Sequence, residues 1–251
     1  MSIPMRFGFA RIAFVAAMLA SGPVHALKML TEENPPLNYT ENGRLTGASL
    51  EAVTEMGKRA KVPMSFEALV WEKAYLRAQS ESDTCLFSTA RQDNRERLFR
   101  WVGPIGYQRW AIYAAGDFKD PVKSLQELTK YRVGAVKFDA KVEYLMQSGV
   151  TDIRDVGDDA LNPPRLMLPK SDPAHIDLWI TGAHSAQQVA EKAGVKNLKL
   201  VWTVSDAPTW LACNRGVPQA TVDALQRAAD ALVKDGTLKR LTQKYGTAPK
   251  R

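Results

Sequence analysis

Ten residues, Arg91 to Arg100, carry four guanidiniums, at Arg91, Arg95, Arg97 and Arg100. A guanidinium can grip a carboxylate through two parallel N–H donors, a geometry that lysine cannot copy. The ordinary alternative for such a run is a solvated basic patch. Just upstream, Ser88 and Thr89 close the apolar run Thr84-Cys85-Leu86-Phe87. Their hydroxyls could bind a polar ligand group or simply cap the strand's own backbone. Glu32 follows the first short strand and could hold an ammonium or stand as a solvated loop acid. Trp71 heads a helix, where its ring offers apolar area and a π-face for a cation, or core packing. Asp139 precedes another helix, in place to cap it; turned towards a cleft, it would favour a cationic group. His184 opens a further helix as a weaker candidate. The chain has three His and two Cys. It shows no HExxH, no phosphate-cradling loop and no Ser/His/Asp set with supporting spacing. We therefore expect no catalytic residue, no metal and no cofactor.

These residues need a scaffold, and the sequence describes one. The chain has 251 residues, 45% hydrophobic and 24% charged, an ordinary globular composition. Strand-like and helical segments alternate. Lys28–Leu30 reads as a strand, and Ser49 can cap a helix with Leu50, Val53, Met56 and Ala60 on one face. Val62–Phe66 reads as a strand that Pro63 places at an edge. Trp71–Gln79 reads as a helix, Thr84–Ser88 as a buried strand, and Arg91–Leu98 as a short helix. Later strands are expected at Trp110–Ala114, Tyr131–Val136, Asp152–Val156, Ile176–Thr181, Leu198–Val204 and Thr209–Cys213. Helices are expected at Ser124–Thr129, Ala140–Gln147 and His184–Ala193, with a short one capped by Asn162. Pro218 opens a long amphipathic helix that Asp235-Gly236 stops, and Leu238–Tyr245 closes the chain. The alternation implies an α/β fold with mainly parallel sheets, in two small lobes. Cys85 and Cys213 both lie in apolar runs, which leaves a pair and two buried thiols equally open.

The first 26 residues are expected to lie outside that fold. Arg6 and Arg11 precede an apolar run, Ile12 to Ala20, which is followed by Ser21-Gly22-Pro23 and Val24-His25-Ala26. This is the layout of a cleaved signal peptide, too short to span a bilayer. Cleavage after Ala26 removes two arginines and no acid, lowering the formal charge from +7 to +5. A modest charge on an exported chain, with no interleaved basic and aromatic strip, argues against nucleic-acid binding.

Several segments, in order, are similar to one family. They are Asn34-Pro-Pro-Leu37, Gly43-Arg-Leu-Thr-Gly47-Ala-Ser-Leu-Glu51, Trp71, and Ser88-Thr-Ala-Arg-Gln-Asp-Asn-Arg95 running to Trp101-Val-Gly-Pro104. Then come Tyr131-Arg-Val-Gly-Ala-Val136, Ile176-Asp-Leu-Trp-Ile-Thr-Gly182 and Asp235-Gly-Thr-Leu-Lys-Arg-Leu-Thr-Gln-Lys-Tyr-Gly246. Over residues 27–251 the chain resembles the extracytoplasmic solute-binding proteins of family 3, which serve ABC importers. The resemblance implies a two-lobe periplasmic-binding-protein fold joined by two crossing strands. Lobe 1 would hold 27–110 and 207–251, and lobe 2 would hold 111–206. A small polar solute, an amino acid or a derivative, would sit in the cleft of a periplasmic monomer that hands it to a permease. The same fold also carries exported enzymes of the cyclohexadienyl dehydratase type, and a sensor role without transport is a third reading. By position, the resemblance implies that Arg95, nine residues before Pro104, clamps the ligand carboxylate, with Arg91 as an additional candidate. It also implies that Trp71 stacks on the ligand. Asn34 stands where many members carry a second aromatic, and Tyr39 or Trp110 could compensate. Two positions depart from the pattern. Phe138-Asp139-Ala140 replaces a Gly-Thr-Thr that receives the carboxylate, and Gly182 stands where the acid for the ligand ammonium is expected. Asp177 is read as structural.

Overall fold

The computed structural model describes residues 26–249. The targeting segment read in the sequence, apart from Ala26, lies outside the described residues. Among the described residues, ten strands and seven α-helices alternate along the chain. Eight strands form one sheet in the order β4-β1-β5-β10-β6-β9-β7-β8. On one side lie β1 (Leu27–Thr31), β4 (Met64–Ala68) and β5 (Thr84–Ala90), mutually parallel. On the other lie β7 (Val133–Val136), β8 (Ile153–Val156) and β9 (Leu178–Gly182), also parallel. Between them runs an antiparallel pair of 17-residue strands, β6 (Phe99–Ala115) and β10 (Leu198–Asn214). A two-stranded ribbon, β2 (Tyr39–Glu41) and β3 (Arg44–Thr46), stands apart.

Each parallel set has its own core. Helices α1 (Ala48–Ala60), α6 (Gln219–Lys234) and α7 (Thr237–Lys244) cover one face of the first set around Met29, Met56, Phe87 and Leu225. Helix α2 (Trp71–Ser80) covers the other face with Trp71 and Tyr75. In the second set α3 (Ala140–Gln147) packs near β7 over Leu128, Leu145 and Leu178. Helices α4 (Asn162–Leu166) and α5 (Ala186–Lys192) pack around Trp179 and Ile176. Two cores bridged by one long strand pair is the mixed α/β, two-lobe architecture expected.

Local differences from the sequence reading have physical causes. The three central strands expected, Trp110–Ala114, Leu198–Val204 and Thr209–Cys213, are two. The segments on either side of Ala207-Pro208 join in β10, and β6 begins at Phe99. A register shift opposite Thr209 and Leu211 leaves Gly103-Pro104-Ile105 in a bulge, which absorbs the missing proline N–H. Gly47, with φ 122°, caps α1 in place of Ser49, because a Cβ there would strike the Leu37 carbonyl. Ser49 is buried inside the helix with its Oγ unpartnered. Asn162 is the first helical residue rather than the cap, and its Nδ2 reaches Ala135 O at 3.1 Å. The expected helices at 91–98 and 124–129 shrink to 3-10 turns, Asp93–Arg95 and Leu125–Lys130. β4 is the edge strand, as Pro63 indicates. Cys85 and Cys213 face each other across β5 and β10 and form a disulfide, which settles the open choice.

Candidate functional site

Parallel strands place their loops at their carboxyl ends, and ligands of open α/β sheets gather there. Glu32 follows β1, Leu69 follows β4, and Ser88 and Ala90 end β5. From the other half, Phe138 and Asp139 follow β7, and Gly157 to Asp159 follow β8. These ends face one another and enclose two adjoining spaces. The inner one is lined by Glu32, Trp71, Ser88, Arg95, Trp110 and Asp139, with Gln108 beside them. Its free space is about 10 Å³, room for about one water molecule. The outer one, about 310 Å³, is lined by Glu32, Trp71, Val70, Val136, Asp158 and Asp159 among others. Glu32 and Trp71 belong to both.

Arg95 dominates the inner space. It is 3% exposed, lies at the end of a 3-10 turn, and stacks over Tyr75 and Trp71 with centroid distances of 5.2 and 5.9 Å. Its Nη2 donates to Phe138 O at 2.7 Å and its Nη1 to Ala90 O at 3.3 Å. Among the described residues no carboxylate forms an ion pair with it, and burial pulls its pKa down. A desolvated guanidinium with only carbonyl acceptors is a ready anion site. Phe138 holds φ at 60°, which brings its carbonyl to Arg95 and stacks its ring on Tyr75 at 5.9 Å. Gln92 Nε2 donates to Ala140 O at 3.0 Å, and Lys137 pairs with Glu72 at 2.9 Å. The contacts of Arg95 with Phe138 O, Phe138 with Tyr75, Gln92 with Ala140 O and Lys137 with Glu72 run from the first strand set to the second, so the cleft is closed.

The acids form a second group. Asp139 caps α3 by accepting from Lys141 N at 2.8 Å, and also pairs with Lys141 Nζ at 2.7 Å. It lines the inner space as well, so capping and cleft exposure coexist. Part of Glu32 remains accessible, yet its carboxyl is enclosed. Burial, with Asp139, Asp159 and Asp158 nearby, pushes it up to about 8, against a smaller pull from Lys141. Among the described residues no hydrogen bond or ion pair holds that carboxyl. Asp159 accepts from Trp179 Nε1 at 2.7 Å, Thr181 Oγ1 at 2.6 Å and Asn162 Nδ2 at 3.1 Å. Burial still raises its pKa, the hydrogen bonds opposing.

The structure thus brings together Arg95, Trp71, Ser88, Glu32 and Asp139. Ser88 holds φ at 60° and donates its hydroxyl to Asn38 Oδ1. Thr89 and Arg91 lie outside both spaces. Thr89 is fully buried and donates to Leu86 O at 3.2 Å, the strand-capping alternative. Arg91 turns away to Glu96, with Nε to Oε2 at 2.8 Å, and lies over Trp210 at 4.9 Å. Of the two aromatics that could compensate for Asn34, Trp110 lines the inner space and Tyr39 neither space. His184 lines neither space. Asp177 accepts from Arg132 N at 2.9 Å and meets His175 Nε2 at 3.2 Å, a structural post. Asp159, Lys141 and Gln108 were missed. A pair of acids at the carboxyl end of β8 was the available signal for Asp159. Lys141 and Gln108 had none, because a buried lysine and a strand glutamine look like surface in sequence.

Residues 27–248 match the sequence pattern of the bacterial extracellular solute-binding proteins, family 3. The probable amino-acid-binding protein YxeM of Bacillus subtilis (strain 168) is 24% identical over 223 residues, 86% of this chain and 81% of its own. Among solved structures, a histidine kinase sensor domain with similarity to periplasmic binding proteins superposes with a TM-score of 0.75 at 17% identity. It covers 88% of this chain and 95% of its own. An ancestral arginine-binding protein bound to arginine gives 0.73 at 19% identity, covering 88% and 97%. At these identities the two structures establish the fold.

Proposed function

The chain belongs to the bacterial extracellular solute-binding proteins of family 3, and on that premise we propose that it captures an amino acid or close derivative in the periplasm for an ABC importer permease. One observation carries the ligand class: the buried Arg95 guanidinium faces the closed cleft with no carboxylate paired to it among the described residues. The ligand carboxylate takes the place of the Phe138 carbonyl on the Arg95 fork. Glu32 and Asp139 receive the ammonium that Gly182 cannot, and Trp71 and Trp110 flank the ligand. The name of the Bacillus relative supports an amino acid. We take 27–110 with 207–251 as one lobe and 111–206 as the other, β6 and β10 forming the hinge. Separation of the halves admits the solute, and closure, biased by the bound solute, presents the shape the permease reads. The protein works as a monomer and performs no chemistry.

Arg95→Lys keeps the charge and loses the fork. A charge-assisted hydrogen bond contributes about 1.5–3 kcal/mol, so loss of one or two weakens affinity roughly 10²–10³-fold at 1.4 kcal/mol per decade. Calorimetry with the amino acid that most raises the wild type's Tm tests this. Unchanged affinity in a folded Arg95→Lys protein overturns the proposal.

A second reading rests on Glu32. A carboxyl that keeps its proton near neutral pH beside a carboxylate clamp is what a general acid requires. Turnover of prephenate, absent in Glu32→Gln, would establish an enzyme in place of a carrier.

A further inference from the structure

Of the four residues that follow β7, three reach across to the first strand set. Lys137 Nζ pairs with Glu72 at 2.9 Å, Phe138 O accepts from Arg95 Nη2 at 2.7 Å, and Ala140 O accepts from Gln92 Nε2 at 3.0 Å. The turn is closed by Asp139 N, which donates to Val136 O at 3.1 Å, and it puts Phe138 at φ 60°. Glycine or asparagine is the usual residue for a positive φ in a turn, and a bulky side chain there is strained. Such a conformation persists only where its surroundings hold it. Here the hold is the ring. It stacks on Tyr75 at 5.9 Å and 20°, with Lys137 Nζ 5.3 Å from its centroid. Phe138 nevertheless remains 40% exposed, so burial alone does not account for a phenylalanine at this place. With the turn in this position the inner space is about 10 Å³, room for about one water molecule and too little for a carboxylate. The turn and the head of a solute therefore exclude each other.

We propose that the turn 137–140 is an internal competitor for Arg95 and that Phe138 sets its strength, the ring's stack on Tyr75 holding the left-handed backbone that presents the carbonyl. This deepens the proposed function and rests on it. Capture of a solute is then a displacement. The solute carboxylate takes the fork, the turn withdraws, and residue 138 leaves the left-handed region. The apparent affinity is the intrinsic affinity scaled by the fraction of molecules in which the turn has withdrawn. Two effects on that fraction oppose each other. The aromatic stack strengthens the competitor about 2–10-fold. The positive φ weakens it about 5–30-fold relative to a glycine at the same place. Phe138 thus works as a threshold: only a solute that grips Arg95 better than a main-chain carbonyl opens the site.

The test contrasts Phe138→Ala, which loses the ring but keeps the cost of a positive φ, with Phe138→Gly, which loses both. A ring that acted by packing alone would give the two variants the same properties. The first probe is phenylglyoxal, which modifies accessible arginines, with Arg95 followed by peptide mass in ligand-stripped protein. Arg95 should react at least about 2-fold faster in Phe138→Ala than in wild type, and at least about 5-fold slower in Phe138→Gly than in Phe138→Ala. Calorimetry with the amino acid that most raises the wild type's Tm should give the same order. Phe138→Ala should bind about 2–10-fold more tightly than wild type, and Phe138→Gly at least about 5-fold more weakly than Phe138→Ala. Equal labelling rates or equal affinities in the two variants overturn the competitor. Weaker binding by Phe138→Ala than by wild type also overturns it, because the ring would then serve the bound solute. A screen in which no amino acid binds overturns the proposed function instead, and the labelling order alone then decides the competitor.

Discussion

Replacing Glu32 by Gln should flatten the pH dependence of the ligand-free protein's stability. Glu32 ionises near 4.5 in the unfolded chain and at about 8 in the folded one. Between those values the folded protein keeps a proton that the unfolded chain has lost. Stability therefore falls as pH rises through that window, and is level below 4.5 and above 8. One proton corresponds to about 1.4 kcal/mol per pH unit, so the full window gives about 4–5 kcal/mol. Glu32 keeps some accessible surface, which reduces the expected difference to about 2–4 kcal/mol. For a chain of this size that is about 5–15 °C in Tm. Urea melts of wild type and Glu32→Gln, followed by tryptophan fluorescence from pH 5 to 9, give the stability difference at each pH. Wild type should lose ground to the variant as pH rises. Parallel curves from pH 5 to 9 would refute the reasoning, because Asp139, Asp159 and Lys141 are common to both proteins and cannot produce the difference.

The disulfide closes a separation of 128 residues between β5 and β10. Cys85→Ala with Cys213→Ala should cost about 2–5 kcal/mol in urea melts, with ligand affinity within about 3-fold, since neither cysteine lines the cleft; unchanged stability would count against it. At Gly182, a Cβ would lie 2.8 Å from Ser185 Oγ and 3.0 Å from Gln108 Nε2. Gly182→Asp should therefore destabilise by about 1–3 kcal/mol without raising affinity for neutral amino acids, and tighter binding in calorimetry would show that the acid is simply absent rather than moved.

The scaffold was legible in the sequence because the periods of its strands and helices survive translation into burial: Val222, Leu225, Ala229 and Leu232 line the inner face of α6 as their spacing requires. Arg95 was legible because its place before Pro104 is a matter of sequence distance. The fused strands β6 and β10 were not, since only pairing shows that Gly103-Pro104 sits in a bulge of β6 and that Ala207-Pro208 continues β10 in register with Gln108 and Tyr107. Arg91 and Thr89 resemble Arg95 and Ser88 in type and position, and only the direction of the strand end separates them: one arginine turns out to Glu96, the other inward beneath Phe138. The acids show the same limit from the other side. The residue at 182 is seen in sequence to be missing a carboxylate, yet no linear pattern says that Asp159, from another loop, stands against Trp179 and Thr181 on the strand that ends at Gly182. A charge that a cleft needs is fixed in space rather than in position along the chain. Gly182 leaves the floor free for Gln108 and Ser185, and Asp159 brings a negative charge to the outer side of the cleft from a different loop.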